Sequence, residues 1–261
     1  KNISNNSEEM SKFNLFLFDY SSLFNSVKDE EKFLQLFNSI FPNAFNFFES
    51  NSNFLFASQE NAPFSLSFWH SIVHRNIEIK FPKHSAISIL FFECTLKNLS
   101  SFLINFQKYA NDENIGNYIE CLEQSMIIYN DIINAKYIMF NVYLIYKNNF
   151  FTNSIDFILN CLMKFNLKNM FEFPPIGKQL KELAIVLFKR HNKFVFSLEN
   201  QSLIRFLLRI LEVSIFTPNF DKNETINSYS ALYELVDYCS SNRNIEIIAS
   251  FISAAEVTLT L

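Results

Sequence analysis

Apolar positions recur at helical spacing along almost the whole chain. Ile119, Leu122, Met126, Tyr129 and Ile133 fall on one helix face, as do Ile155, Ile158, Leu159 and Leu162. Leu180, Leu183, Ala184 and Leu187 repeat the pattern, then Leu203, Leu207, Ile210 and Leu211, then Tyr229, Leu232, Tyr233 and Val236. No run of strict alternation competes with these, so the pattern predicts helices and no strands. The expected helices cover 9–26, 29–40, 64–79, 83–110, 113–133, 135–148, 153–165, 175–191, 199–215, 222–241 and 244–258. The stretch 42–62 is assigned no helix. Start signals sit between them. Asp29, Glu30 and Glu31 suit a helix N-terminus, Asp112 precedes a helix, and Thr152 to Ser154 offers a cap. Pro174 and Pro175 suit a first turn, and Asn200 or Ser202 a further cap.

Helix starts near 153, 175, 199, 222 and 244 recur about every 22 residues, so every second helix starts about 45 residues on. That period is the one expected of HEAT or armadillo helix pairs. A pair of that size cannot bury its apolar face alone and must stack on neighbours. The predicted fold class is all-α, an α-solenoid of stacked antiparallel helix pairs. A compact helical bundle is the alternative, with fewer and longer helices and no repeat length.

Composition sharpens this picture. Of 261 residues only two are Gly and six are Pro. The two glycines, Gly116 and Gly177, are too few for a P-loop, a G-x-G-x-x-G fingerprint or a turn-rich β-fold. A hydrophobic content of 49% allows a substantial core. Phe and Asn occur 33 times each, which reads as codon bias, with Phe at positions where Leu would serve equally. The chain begins at Lys1, and the Asn/Ser-rich residues 1–7 read as a disordered lead-in. Residues 8–261 read as one solenoid segment of a longer protein. No signal peptide is visible. The longest nearly apolar stretch, Tyr137 to Tyr146, is ten residues, short of the roughly 20 a membrane span needs.

Candidate chemistry is sparse. Cys94, Cys121, Cys161 and Cys239 lie far apart in apolar runs and read as buried free thiols of a reducing compartment. The four histidines, His70, His74, His84 and His191, do not pair with cysteines at zinc-ligand spacing. His70 and His74 are four apart on one helix. Ser71, Ile72 and Val73 stand between them, where a zincin needs its glutamate. Glu120 and Glu123 share a helix side, but no second Glu-x-x-His pair completes a di-iron set. No catalytic, cofactor or metal residues are assigned, no cofactor is expected, and the chain reads as a non-enzyme.

Charge is uneven. The net charge of −4 argues against a nucleic-acid partner. Residues 1–135 hold nine basic and fifteen acidic residues; residues 136–261 hold thirteen and eleven. Glu120, Glu123 and Asp131 lie off the apolar stripe of their helix. They are expected to be exposed as a surface for basic protein partners. Lys178, Lys181, Arg205 and Arg209 form a candidate basic partner face, with Arg205 and Arg209 opposite Leu203 and Leu207.

Residues 140–199 carry a resemblance. Phe140-Asn141-Val142-Tyr143-Leu144-Ile145-Tyr146 is similar to an F-G-V-F-x-L-Y signature. Further on, His191-Asn192-Lys193-Phe194-Val195-Phe196-Ser197-Leu198-Glu199 is similar to an H-x-x-F-I-x-S-L-E segment. Upstream, Ile89-Leu90-Phe91-Phe92-Glu93 resembles L-L-F-R-E, with Phe92 in place of the Arg. Together these resemble the exportin-7, or Ran-binding-protein-16, family of nuclear transport receptors in the importin-β superfamily. Asn141 and Lys147 stand where that family carries Gly, and Pro175 where it carries Lys. Residues 1–80 show little likeness.

The resemblance implies a HEAT-repeat receptor segment from the C-terminal part of such a protein. Its implied partners are folded protein cargo, Ran-GTP (mainly through N-terminal repeats that this segment lacks) and Phe-Gly nucleoporins, with no membrane partner. Nucleus and cytoplasm, at the nuclear pore, are the implied location. An unrelated HEAT-type scaffold or adaptor subunit is the alternative, and a helical enzyme domain a third. In 191–199, Phe194, Val195 and Leu198 are expected to pack inward.

Overall fold

A computed structural model describes residues 7–41, 43–56, 61–74, 86–110, 115–136, 138–216 and 222–241. Among these the protein is all-α, with thirteen α-helices, one short 3-10 helix and no strand. The chain divides into two compact units, Lys1–Phe150 and Phe151–Leu261.

The first unit holds α1 (Ser7–Ser26), α2 (Glu30–Ile40), α3 (Asn43–Leu55), α4 (Ala62–Val73), α5 (Ala86–Tyr109), α6 (Ile119–Ile133) and α7 (Asn141–Ile145). Asp29 caps α2 by accepting a 2.9 Å hydrogen bond from the Lys32 N–H, as the acidic run predicts. α4 packs on α1 and α6, and α5 packs on α3 and α6. The core is an aromatic cluster. Phe24, Phe33, Phe37, Phe45, Phe48, Phe68, Trp69 and Phe91 are all fully buried. Phe91 meets Phe37 edge-on at 5.5 Å, and Trp69 meets Phe45 at 5.0 Å. Leu is smaller and would leave voids here, and it would also lose edge-to-face contacts that contribute about 0.5–1.5 kcal/mol per pair. In this core, then, Phe is not interchangeable with Leu.

Helix α3 falls where no helix is expected. Its Asn- and Ser-rich sequence has weak helix propensity. Burial of Phe45, Phe48 and Leu55 overrides it, and the buried Asn51 donates its amide to the Phe47 carbonyl at 2.8 Å. Helix α5, over residues 86–108, is the one described helix long and apolar enough, by length and composition, to cross a membrane. Half of its most apolar stretch is buried inside the protein. Its Thr95, Asn98 and Asn105 are buried as well, and each donates to a carbonyl four residues back in the same helix. These are features of a core helix.

The helix expected over 135–148 is reduced to the five residues of α7. α6 ends at Asn134, whose N–H bonds to Asn130 and Ile132 carbonyls. After α7 the chain turns back through Lys147, the one non-glycine with positive φ (52°) among the described residues. The Asn148 N–H donates to the Tyr143 carbonyl (2.8 Å) and the Lys147 N–H to the Leu144 carbonyl (3.2 Å), the bond pair of a Schellman closure. The Asn148 side chain then accepts the Phe150 N–H at 2.8 Å, so one residue closes α7 and caps the next helix.

The second unit holds α8 (Phe150–Leu162, its first residue belonging to the first unit), α9 (Leu167–Phe171), α10 (Pro174–Arg190), α11 (Asn192–Val195), α12 (Gln201–Phe216) and α13 (Lys222–Ser241). Pro174 and Pro175 form the first turn of α10, and the Asn200 side chain caps α12 through the Ser202 N–H at 3.0 Å. Capping by Asn148 starts α8 three residues before the expected position at 153. α10 packs on α9, α11, α12 and α13. Leu180, Leu183, Ala184 and Leu187 are all fully buried. Gly177 lets the Phe171 ring approach so closely that a Cβ there would lie 3.0 Å from it. The helix expected at 244–258, residues 75–79 of the one expected at 64–79, and His84 lie outside the described residues, as does most of the lead-in; Ser7 opens α1.

Candidate interaction surfaces

The acidic candidates sit on α6, which packs on α4 and α5. Glu120 is exposed and Glu123 half-buried. Asp131 is not the free surface charge that spacing suggests. Its Oδ2 lies 2.6 Å from the His74 Nδ1, and its side chain is only 23% exposed. The reason is tertiary: α4 packs on α6, and its C-terminal end meets Asp131. His70 stacks on His74 with ring centroids 4.6 Å apart. The pair of histidines therefore orders a helix contact. Among the described residues no group of three or more His, Cys, Asp or Glu converges on a possible metal position.

The basic candidates divide as well. Lys178 and Arg205 are exposed. Lys181 is only 3% exposed and does not belong to a partner face. It lies beside Leu180 on α10, a helix surrounded by four others, where even off-stripe positions are covered. Arg209 is exposed but directs its guanidinium onto Glu212 at 2.6 Å, one turn along α12. Arg209, Lys168 and Glu172 also rim a depression of about 470 Å³, with apolar walls from Leu167, Phe171 and Val213.

The segment 191–199 is structural in its packing. Phe194, Val195 and Leu198 are buried, as expected. Phe194 meets Phe151 edge-on at 4.8 Å, and the buried His191 meets Phe151 at 5.0 Å. Phe196 stacks on Tyr238 of α13 at 4.8 Å.

None of the four cysteines forms a disulfide. Cys161 and Cys239 are buried, whereas Cys94 and Cys121 are half-buried, against the expectation of full burial. Burial, and secondarily the neighbouring Glu120 charge, push the Cys121 thiol up from 9.0 to about 11. Burial also raises the Cys239 thiol. Both changes suppress the thiolate, the opposite of what a nucleophilic cysteine needs.

One surface is absent from the sequence reading. Tyr229, Tyr233 and Val236, expected in the core, are exposed on α13, and Leu232 is half-buried. The buried positions are Ser228, Ala231, Leu235 and Cys239. They too recur at helical spacing, but the bulkier Tyr-Val stripe hides that signal. α1 likewise exposes Leu15, Phe16, Phe18 and Leu23.

No protein-family model matches this chain, and neither a curated protein nor a solved structure is similar enough to count as a match.

Proposed function

We propose that this chain is a segment of a nuclear transport receptor of the exportin-7 type, each of its units a stretch of HEAT-like α-solenoid. The observation that carries the reading is the backbone at Lys147. The chain adopts φ 52° there, a conformation that favours glycine, and the resembling family carries Gly at that place in its signature. Packing in the two units supports the same reading. α3 packs on α5, α4 on α6, and α10 on α12 across the short α11, contacts of the kind stacked pairs make, while α4 also packs on α1 and α10 on α13. On this reading the chain is a binding segment and not an enzyme. It holds folded protein cargo over a broad polar surface and meets Phe-Gly nucleoporins at the pore. Ran-GTP binding belongs mainly to other repeats of the receptor. Glu120 and Glu123 are the acidic contacts that remain after Asp131 is assigned to His74. Lys178 and Arg205 are the basic ones.

The test uses the full-length protein on a resin, with cell extract and Ran loaded with GTP or GDP. Cargo recovery that depends on the nucleotide is expected, together with retention on Phe-Gly nucleoporin fragments. The double variant Glu120→Lys, Glu123→Lys should lower recovery of basic cargo at low salt more than at high salt. Recovery indifferent to the Ran nucleotide, with no nucleoporin retention, would leave a scaffold unrelated to nuclear transport.

A further inference from the structure

We propose that the tip formed by Leu144, Ile145 and Tyr146 at the end of α7 is an anchor that dips into an anionic lipid surface. The three are consecutive in the chain and 39, 69 and 77% exposed. Scattered exposed apolar residues need no explanation, but an unbroken run of them marks a contact surface. The tip is also held firmly. The Tyr146 N–H donates to the Val142 carbonyl at 3.0 Å, and the closing bonds to the Tyr143 and Leu144 carbonyls fix the reversal that follows. At its base the buried Tyr143 donates its hydroxyl to Glu93 of α5, and Phe140 meets Phe92 edge-on at 5.4 Å. Successive residues of a helix point about 100° apart, so the three side chains fan outward around the end of α7. A fluid interface wraps such a convex tip, whereas a flat helix face would cover only one side of it.

Charge selects the kind of lipid. Between Asp131 and Asp156 the chain carries Lys136 and Lys147 and no acidic residue. Lys147 is exposed directly after Tyr146, and it keeps φ 52° where glycine would fit at lower cost. A strained position that retains a charged residue points to a use for that charge. Glu93, the acid that reaches α7, is half-buried and engaged by the Tyr143 hydroxyl. The exposed apolar stripes of α1 and α13 differ in this respect. Exposed Asp19 stands among Phe16, Phe18 and Leu23, and exposed Glu234 and Asp237 accompany Tyr233 and Val236. Tyrosine settles at the membrane interface, and a lysine stem reaches from there to the anionic headgroups that attract it. The whole chain carries −4, so its approach to such a surface is oriented, tip first. Three side chains and one adjacent cation make a weak, reversible anchor. This inference does not rest on the receptor reading, whose implied partners include no membrane.

The test sediments the full chain with vesicles of phosphatidylcholine alone or with about 30% phosphatidylserine. Binding to the anionic vesicles is expected, weakening as salt rises, with less on the neutral ones. The double variant Ile145→Ser, Tyr146→Ser changes two exposed positions and should lower binding to anionic vesicles about tenfold. Lys147→Gly should lower it about fivefold and leave binding to neutral vesicles unchanged. That variant relieves the backbone at this position, so a loss of binding there does not come from unfolding. Ile226→Ser with Tyr229→Ser on α13 should leave binding unchanged. No binding by the unaltered chain would overturn the proposal and leave the tip to a concave socket on another protein. Binding that both tip variants keep in full, or that the α13 pair abolishes, would overturn it as well.

Discussion

The Asp131 carboxylate lies 2.6 Å from the His74 Nδ1, fifty-seven residues away in sequence, and joins the end of α4 to α6. Both side chains keep some solvent contact, so the pair resembles a surface ion pair more than a buried one. A double-mutant cycle with His74→Ala and Asp131→Asn should give a coupling energy below about 1 kcal/mol, shrinking as salt is added. Cargo recovery should respond to Glu120 and Glu123 but not to Asp131→Asn. A coupling well above that range would show the pair to be more desolvated than its exposure indicates.

Lys147 carries a local cost that its sequence position does not require. A non-glycine residue in the left-handed region is disfavoured by roughly 1–2 kcal/mol. Lys147→Gly should therefore raise the stability of the protein by about 1 kcal/mol, the glycine's greater unfolded-state freedom offsetting part of the gain. Urea unfolding would show it as a higher midpoint with an unchanged slope. A β-branched substitution, Lys147→Val, should move the midpoint the other way.

Phe194 is 3% exposed and meets Phe151 edge-on. Phe194→Ala should cost about 3–5 kcal/mol, the range for an aromatic ring removed from a packed core. Phe196, half-buried and stacked on Tyr238, should cost less when truncated. Denaturant unfolding of the two variants side by side would rank them. A loss below about 1 kcal/mol for Phe194→Ala would remove this segment from the core.

The Tyr143 hydroxyl donates to Glu93 at 3.2 Å. Burial, then the Glu93 charge and that hydrogen bond, raise the Tyr143 phenol well above its ordinary value of 10.0. The folded protein therefore holds this proton more tightly than the unfolded chain. The stability it contributes is fully present below pH 10 and is lost as pH rises from there through the folded value. Tyr143→Phe should flatten part of the stability loss above pH 10, as measured by unfolding at a series of alkaline pH values. An unchanged alkaline slope would mean that the phenol ionises alike in both states.

How much of this was legible in the sequence depended on how local the cause was. Caps are local: Asp29, Asn200 and the Pro174–Pro175 pair marked their helix starts because each bonds, or leaves free, groups within one turn. The reversal at Lys147 was not legible, because no glycine marks it. α3 was missed because its Asn-rich propensity argues against a helix, while Phe45 and Phe48 gain their burial from Trp69 and Phe91, which lie far away in sequence. Of the candidate surfaces, Glu120, Lys178 and Arg205 stood where spacing put them, whereas Asp131 and Lys181 were taken up by packing partners.

By itself the sequence determined the all-α class, most helix positions and the inward packing of Phe194, Val195 and Leu198, since a 3.6-residue period with local caps specifies a helix and an apolar stripe. It did not determine which stripe is buried when a helix carries two. On α13 Tyr229, Tyr233 and Val236 point outward, and Ser228, Ala231, Leu235 and Cys239 point inward. Only the tertiary structure decided that, because small side chains let α13 approach α10 and α12 closely, and the neighbours that set the choice come from distant parts of the chain.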